Sequence, residues 1–172
     1  MARLANALFT GSHTKRLDPK GRLPVPAEIR ASLDADQKDG SEERNGFICA
    51  PSVAGPFLDC GGLDLLDVWQ ARLAQMDPFD PTREAFELAF MGQARTLTID
   101  KEGRTILPKP FIEFAGLSGE VCFIGRGGYF QILPLEVAEK LVTDARALAR
   151  DARMALREAP LQTSARPGAP TA

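Results

Sequence analysis

Metal-binding and disulfide-forming side chains are scarce in this sequence. The 172-residue chain has a single histidine, His13, and three cysteines, Cys49, Cys60 and Cys122. An odd number of widely spaced cysteines does not indicate a disulfide framework, and one imidazole does not support a zinc site of the Cys/His type. We therefore expect three reduced thiols, most of them in the core, with no metal and no organic cofactor.

Long apolar segments are also missing. No stretch approaches the roughly 20 apolar residues that span a bilayer. The first residues lack the charged, apolar and cleavage segments of a secretory leader. A hydrophobic content of 44% with 26% charged residues is ordinary for a globular protein with one core or two small ones. These properties predict a cytoplasmic protein.

Residue patterns for catalysis are absent as well. A Ser-His-Asp or Cys-His arrangement would have to use His13, which lies in the polar stretch 11–14. The glycine-rich segment 125–128 lacks the Lys-Ser/Thr pair of a phosphate-binding loop and precedes a predicted strand, which favours a hairpin turn. We therefore expect that the chain is not an enzyme.

A repeated motif is the most informative feature of the chain. Residues 18–22 (tip one) are Asp-Pro-Lys-Gly-Arg and are followed by Pro26. Residues 100–104 (tip two) are Asp-Lys-Glu-Gly-Arg and are followed by Pro108. Both fit the pattern Asp-x-x-Gly-Arg-x-x-x-Pro at an offset of 82 residues. A motif repeated in this way indicates that one structural unit occurs twice.

Each copy of the motif predicts a tight β-hairpin. Apolar residues alternate with polar ones on both sides of it, as in strands with one buried face. Asp at the first position and Gly at the fourth suit a type I turn closed by a left-handed glycine. The arginine that ends each motif then extends outward. The predicted turn-stabilising residues are Asp18, Gly21, Asp100 and Gly103.

The segments that follow the two tips also correspond. In each copy a proline suited to the first helical turn starts a short helix, and two strands follow before a longer helix. The first copy has extra residues at 34–45 and 51–62, which we expect to be exposed loops. The two predicted strands are residues 47–50 and 63–66 in the first copy and residues 121–124 and 130–133 in the second.

The two halves are expected to depend on each other. Strand-rich units of about 50 residues are individually marginal, so we predict an α+β fold in which the two copies form one pseudo-symmetric barrel with flanking helices. The predicted divisions are a first module at 12–68, a helical connection at 69–93, a second module at 94–137, a C-terminal helix at 138–158 and a disordered tail at 159–172.

Positive charge is concentrated at the N-terminal end. Residues 1–30 carry six Lys/Arg against two Asp/Glu, residues 31–100 carry five against thirteen, and residues 101–172 carry ten against eight. A basic end on an acidic body is typical of proteins that bind a polyanion. An arginine at a tight tip can contact phosphate or the O6 and N7 atoms of guanine. The alternative is a structural salt bridge to the aspartate of the motif.

The two tips differ in charge at the third motif position. Lys20 in tip one corresponds to Glu102 in tip two, and Lys15 and Arg16 precede tip one. We therefore expect tip one to be the better reader of DNA. The predicted DNA-binding residues are Lys15, Arg16, Lys20, Arg22, Lys101 and Arg104.

These motifs resemble those of the MraZ family of bacterial transcriptional regulators, whose chains carry two SpoVT-AbrB-type modules. The resemblance covers about residues 9–145, and two tips in this order and spacing make it specific. It rests on Phe9-x-Gly11, Leu17-Asp18-x-Lys20-Gly21-Arg22 with Val25-Pro26, Met76-x-Pro78, Phe90-x-Gly92 and Asp100-x-x-Gly103-Arg104-x-x-x-Pro108.

The resemblance implies a swapped-hairpin barrel formed by the two modules of one chain, with both tips on DNA. Arg22, Arg16 and Lys20 would touch DNA, with Arg104 in the equivalent place of the second copy. It further implies a ring-like homo-oligomer on tandem, G-rich direct repeats in double-stranded DNA, and association with the nucleoid. The regulated promoter would belong to a division and cell-wall gene cluster that includes the regulator's own gene. Glu102 and the two loops depart from the family pattern.

A protein-binding module is the alternative from another functional class. An antitoxin-like protein would use the same barrel, together with the arginine-bearing helix predicted at 135–158, to hold another protein.

Overall fold

The computed structural model describes residues 8–36 and 45–158, and these residues form a mixed α+β fold, as predicted. The strands are β1 Ser12–Arg16, β2 Arg22–Pro24, β3 Gly46–Pro51, β4 Leu58–Gly61, β5 Arg95–Thr98, β6 Arg104–Ile106, β7 Glu120–Gly125 and β8 Phe130–Pro134. The helices are α1 Ala27–Asp36, α2 Leu65–Leu73, α3 Pro81–Phe86, α4 Lys109–Ala115, α5 Leu135–Asp151 and α6 Arg153–Glu158, with a π-helical turn at Glu87–Met91.

Strands from both copies are interleaved in one six-stranded antiparallel sheet. Its order is β1-β7-β8-β4-β3-β5. The first strand of each copy pairs with the other copy, because β1 lies beside β7 with Ser12 opposite Ile124, and β5 lies beside β3 with Gly46 opposite Thr98. β4 and β8, one from each copy, meet at the centre. Equivalent strands therefore occur in the same order from either edge, which is the pattern of a pseudo-two-fold axis.

The other two strands form a separate ribbon that also joins the copies. β2 and β6 are antiparallel, and Leu23 lies opposite Thr105. Both side chains point into the core, with exposed fractions of 0% and 1%. In residues 8–36 and 45–158 no pairing connects the edge strands β1 and β5. The strand pairing there gives an open sheet and a ribbon, and the predicted closed barrel is not found.

Alternation along the strands divides the apolar residues between the two faces of the sheet. Phe47 of β3 belongs to the main core, which the ribbon covers, and its neighbour Ile48 belongs to a second cluster on the opposite face. The Phe130 ring centroid lies 5.5 Å from that of Phe47 in the main core. On the opposite face Trp69 of α2 packs against Phe90, with centroids 4.5 Å apart. Phe90 shares this cluster with Ile48, which attaches the helical connection to the sheet. As expected for most of the thiols, all three cysteine side chains are buried.

The second strand of the first copy lies earlier in the chain than the sequence predicts. Residues 63–66 are predicted as a strand and 51–62 as an exposed loop, whereas β4 lies within that loop region and α2 begins at Leu65. The prediction is wrong because Asp59 resembles a loop residue. Its carboxylate is in fact buried and accepts a 2.7 Å hydrogen bond from the side-chain amide of Gln131. Since that partner lies in the second copy, no local pattern reveals it.

The chain divides into two compact units after Ala138. The first contains the sheet and the ribbon, and the second begins within α5. None of the helices in the described residues is long and apolar enough to cross a membrane. The predicted tail at 159–172 and most of the predicted loop at 34–45 lie outside the described residues. The domain bounds drawn from the sequence stay predictions.

Replacement of Thr105 by valine is expected to stabilise the fold. The Thr105 hydroxyl is buried and has no hydrogen-bond partner among the described residues. A buried hydroxyl left unpaired costs about 1–3 kcal/mol, and the valine methyl group fills the same space without that cost. The free energy of unfolding should rise by about 1 kcal/mol, measured as a higher urea midpoint at an unchanged slope.

The matched control is Thr96→Val, because Thr96 is exposed on β5. This control should change the free energy of unfolding by no more than about 0.5 kcal/mol. A lower urea midpoint for Thr105→Val would contradict the expectation.

Candidate nucleic-acid interface

Tip one is a three-residue hairpin turn held by its aspartate. The backbone N–H of Gly21 donates to the Asp18 carbonyl at 3.0 Å, and the N–H of Asp18 donates to the Arg22 carbonyl at 3.0 Å. Asp18 Oδ1 also accepts from the backbone N–H groups of Lys20 and Arg22, at 2.9 and 2.8 Å. Gly21 has a φ of 79°, a left-handed conformation that favours glycine. Tip one is therefore a hairpin turn that is closed by a left-handed glycine.

Tip two repeats this geometry. Asp100 Oδ1 accepts from the N–H groups of Glu102 and Arg104, at 3.0 and 2.8 Å, and the N–H of Gly103 donates to the Asp100 carbonyl at 2.9 Å. Gly103 has a φ of 77°. The arginine at the fifth position therefore follows a turn of the same backbone geometry in both tips.

Each motif aspartate also holds its arginine. Asp18 Oδ2 accepts from the Nε atom of Arg22, and Asp100 Oδ2 accepts from the Nε atom of Arg104 at 3.0 Å. In tip two the Arg104 Nη2 atom lies 3.0 Å from Asp100 Oδ2 and 3.3 Å from Glu102 Oε2. One carboxylate therefore engages Arg22 through Nε, whereas two carboxylates engage Arg104. The salt bridge considered as an alternative role is formed in both copies, and in tip one the Arg22 side chain remains 44% exposed.

The ribbon brings both arginines to one exposed surface. In the β2–β6 register Arg22 lies opposite Ile106, and Arg104 lies opposite Pro24. Paired residues share a face, and residues two apart share a face, so these four side chains form the outer face of the ribbon while Leu23 and its partner form the buried face. Ile106 is 66% exposed. The outer face of β2 and β6 is therefore a two-arginine surface with an apolar side chain beside it.

Backbone hydrogen bonds join each tip to the strand of the other copy. The N–H of Val25 donates to the Gly103 carbonyl at 2.9 Å, and the N–H of Leu107 donates to the Gly21 carbonyl at 2.8 Å. The charge of Asp18 also reaches Arg104. The pKa of Arg104 is raised, first by its hydrogen bond to Asp100 and to a lesser degree by Asp18. The two tips, although far apart in the sequence, are therefore close enough for their charges to interact.

The other predicted DNA-binding residues take up different positions. Lys20 is exposed in tip one, and Lys101 is exposed in tip two. Arg16 is exposed at the end of β1 and lines the same surface groove as Asp18. Lys15 precedes Arg16 in the strand and therefore projects from the opposite face of β1. The structure thus places Arg16 beside tip one and directs Lys15 elsewhere.

Arg30 of α1 lies against tip two, although it lies outside the repeated motif. A β-carbon at Gly103 would lie 2.9 Å from Cζ of Arg30. The guanidinium of α1 therefore covers the glycine of tip two. The repeat contains a signal for this contact. Arg30 lies 82 residues before Ile112, which is the offset of the repeat, and Ile112 covers the glycine of tip one: a β-carbon at Gly21 would lie 3.4 Å from its Cδ1 atom.

The turn hydrogen bonds shift the pKa of both aspartates downwards. Partial desolvation acts to raise the pKa of Asp18, but hydrogen bonds from the backbone and guanidinium of Arg22 and from the backbone of Lys20 outweigh it. The backbone N–H of Arg104 is the largest cause for Asp100, and it lowers that pKa against a smaller effect of desolvation. Both groups therefore hold their negative charge more strongly in the folded protein.

Acidification should weaken the fold through these two carboxylates. A pKa lowered by folding stabilises the protein above the ordinary aspartate value of about 3.9, and this stabilisation is lost as the pH falls through the folded-state value. We expect the double variant Asp18→Asn/Asp100→Asn to lose less stability than wild type between about pH 5 and pH 2. Urea unfolding across that range measures the difference.

The control for this titration is Asp64→Asn, because Asp64 is exposed and makes no side-chain hydrogen bond at the start of α2. The control should keep the wild-type dependence on pH. An equal loss of stability in wild type and the double variant would show that the turn carboxylates do not contribute.

Comparisons with known proteins identify relatives of this chain over most of its length. A family profile described as "MraZ protein, putative antitoxin-like" matches residues 90–158. The transcriptional regulator MraZ of Rickettsia canadensis (strain McKiel) is 32% identical over 152 residues, covering 88% of this chain and 98% of the relative. The protein of the same name from Beijerinckia indica subsp. indica is 35% identical over 162 residues, covering 94% of this chain and 95% of the relative.

The profile match includes tip two, and the two relatives align with 88% and 94% of this chain. Identity of about a third over nearly the whole of both chains, together with the repeated turn geometry, identifies the family. The chain belongs to the MraZ family.

Proposed function

We propose that this chain is a transcriptional regulator that binds double-stranded DNA with the outer face of the β2–β6 ribbon. The relatives in Rickettsia canadensis and Beijerinckia indica carry the name transcriptional regulator. The observation that supports DNA binding most directly is that Arg22 and Arg104 project from one exposed ribbon face. A two-stranded ribbon fits the major groove of B-DNA, where arginine pairs with the O6 and N7 atoms of guanine.

The aspartates prepare the arginines for this contact. A guanidinium held through Nε loses less conformational freedom on binding, since its orientation is already set. In tip one this leaves the Nη groups of Arg22 for a base or a phosphate. In tip two Glu102 competes for Arg104 Nη2. Tip one therefore makes the sequence-specific contact, and tip two contributes more weakly.

The remaining basic residues position the ribbon on the DNA backbone. Lys20, Lys101 and Arg16 are exposed on or beside the tips, where they contact phosphates. Lys15 contributes to the field of the basic N-terminal end. Phosphate contacts of this kind carry affinity without sequence information and weaken with salt.

Assembly supplies the affinity that one ribbon lacks. A single subunit offers few contacts, so its affinity lies near the non-specific range of roughly 10⁻⁴ to 10⁻⁶ M. A ring-like homo-oligomer with cyclic symmetry presents the same ribbon in the same direction to successive tandem, G-rich direct repeats. The strand exchange between copies supports a swapped-hairpin architecture for each subunit. The regulated promoter belongs to a division and cell-wall gene cluster that includes the regulator's own gene. The regulator acts in the cytoplasm, at the nucleoid.

An antitoxin-like, protein-binding function is the second candidate. It is favoured by exposed apolar side chains on the C-terminal helices, since Leu148 of α5 is 71% exposed and Leu156 of α6 is 82% exposed. Such a function would use these helices and would not need the arginines of the ribbon. Substitution of the ribbon arginines therefore distinguishes the two candidates.

Arg22→Gln is expected to weaken DNA binding by about tenfold to a hundredfold. One bidentate arginine–guanine contact is worth about 1–3 kcal/mol, and its loss relaxes the preference for one base. Arg104→Gln should have a smaller effect, because two carboxylates already engage Arg104. Mobility shifts on the DNA upstream of the protein's own gene, at two salt concentrations, measure both effects.

The matched control is Arg72→Gln, which removes the same charge from an exposed position on α2. It should bind DNA like wild type, and all three variants should keep the wild-type oligomeric state. Undiminished DNA binding by Arg22→Gln would contradict the regulator and favour the protein-binding module. A steep salt dependence with equal affinity for unrelated DNA would contradict sequence-specific regulation.

Tandem repeats should bind far more tightly than one. Linkage of subunits in an oligomer raises the effective concentration at the second site, which typically increases affinity by about 10² to 10⁴. We expect this difference between DNA fragments that contain one and two direct repeats, titrated with the intact oligomer. Equal affinities, or full affinity in a variant that sediments as a monomer, would contradict the requirement for assembly.

A further inference from the structure

Cys49 and Cys60 form a buried pair of thiols in the sheet, and we propose that hydrogen peroxide oxidises this pair to an intramolecular disulfide. The bond joins β3 to β4. The inference goes beyond the proposed function, because neither cysteine lies in the ribbon or in the tips. It assigns a site of redox modification, and its test requires no DNA.

The two cysteines lie directly opposite each other on neighbouring strands. β3 and β4 are antiparallel, and Cys49 is the register partner of Cys60. Their side chains therefore share one face of the sheet, in the main core. The Cys60 thiol donates a hydrogen bond to Sγ of Cys49, and the two sulfur atoms are 3.2 Å apart.

A small movement separates this contact from a covalent bond. The sulfur atoms of a disulfide are about 2.0 Å apart, and the β-carbons of its two cysteines are about 3.5–4.5 Å apart. Directly opposite residues of an antiparallel pair have β-carbons about 4.5–5.5 Å apart. A slight approach of β3 and β4, with rotation of the two side chains, is therefore enough to form the bond.

The sheet separates the third cysteine from this pair. Cys122 of β7 belongs to a different apolar cluster, whereas its neighbours Val121 and Phe123 belong to the main core. Successive side chains of a strand point to opposite faces of the sheet, so Cys122 lies on the face opposite to the pair. One specific disulfide is therefore expected.

The folded sheet protects the pair from oxidants. Both side chains have an exposed fraction of 0%. Burial, with a smaller contribution from the hydrogen bond to Cys49, raises the pKa of the Cys60 thiol well above its ordinary value. Because the thiolate is the nucleophile, the pair stays reduced while the sheet is intact. Oxidation then depends on a local opening that brings water and peroxide to the sulfur atoms.

The position of β3 allows such an opening without unfolding of the whole sheet. β3 lies next to the edge strand β5, which has four residues. Local opening of this kind needs less free energy than global unfolding. The two cysteines are 11 residues apart in the chain, so they stay near each other when β3 is released.

The oxidation balances with hydrogen peroxide as the oxidant. One cysteine thiolate attacks a peroxide oxygen, the O–O bond breaks, and the leaving hydroxide takes up a proton to become water. The other thiol then attacks the sulfenic sulfur, which forms the S–S bond, breaks the S–O bond and releases a second water. The two thiols together lose two electrons and two protons, and the peroxide gains them.

The disulfide keeps β3 joined to β4 through later openings, because it closes the loop between them covalently. A dithiol reductant such as dithiothreitol attacks the bond and restores both thiols. The modification is therefore reversible.

The test exposes the full-length protein to hydrogen peroxide at urea concentrations below its unfolding transition. Samples are then unfolded and alkylated, and the thiols are counted by mass spectrometry. The count should fall from three thiols to one. Cleavage by the protease Asp-N before Asp59 places Cys49 and Cys60 on separate peptides. These two peptides should stay linked until dithiothreitol is added.

The matched control is Cys122→Ala, which removes a buried thiol from the other face of the sheet. It should yield the same linked peptides as wild type, whereas Cys60→Ala should yield none. The wild-type peptide map decides the proposal even if Cys60→Ala fails to fold. The oxidation rate should increase with urea concentration, because opening of the sheet limits it.

Retention of three thiols by wild type just below the unfolding transition would overturn the proposal. Loss of thiols without the link, linked peptides that contain Cys122, or chains joined to each other on a non-reducing gel would overturn it as well. An oxidation rate that does not change with urea would contradict the opening step. None of these results depends on DNA binding, so failure of this proposal is distinct from failure of the proposed function.

Discussion

The pairing of β2 with β6 is the interaction on which the rest of this surface depends. It places Leu23 opposite Thr105 beneath the ribbon and leaves Arg22 and Arg104 above it. A slip of one residue in either strand would turn an arginine into the core and expose Leu23 or Thr105. The buried face of the ribbon therefore determines where the charges of the outer face lie. The register of β2 against β6 thus sets both the packing of the buried face and the positions of the arginines on the outer face.

Similar backbones carry unequal chemistry in the two copies. The turn hydrogen bonds of Asp18 and Asp100 match within about 0.1 Å. The differences lie in side chains that the turn does not constrain, such as Glu102, which takes a hydrogen bond from Arg104. A turn whose geometry depends on aspartate and glycine leaves its other positions free to vary. The two copies can therefore diverge in charge while the ribbon keeps its shape.

The sequence predicts features that depend on neighbouring residues and misses those that depend on the other copy. The turns at 18–22 and 100–104 follow from Asp and Gly at fixed spacing, so both tips and their arginines could be anticipated. β4 could not, because the buried Asp59 obtains its partner from Gln131. The position of Arg30 over Gly103 likewise joins two copies. The repeat offset reveals such a contact only once the exchange of strands is known.

The exchange of strands also has a consequence for how the chain is made. β1 precedes its partner β7 by 112 residues in the chain, since Ser12 lies opposite Ile124. Until β7 has left the ribosome, β1 has no partner strand in the sheet and the first half cannot close its core. Long-range pairing of this kind slows folding and leaves strand edges exposed to other chains. Because the strands of the two copies are exchanged, the first half of the sheet cannot fold until the second half has been synthesised.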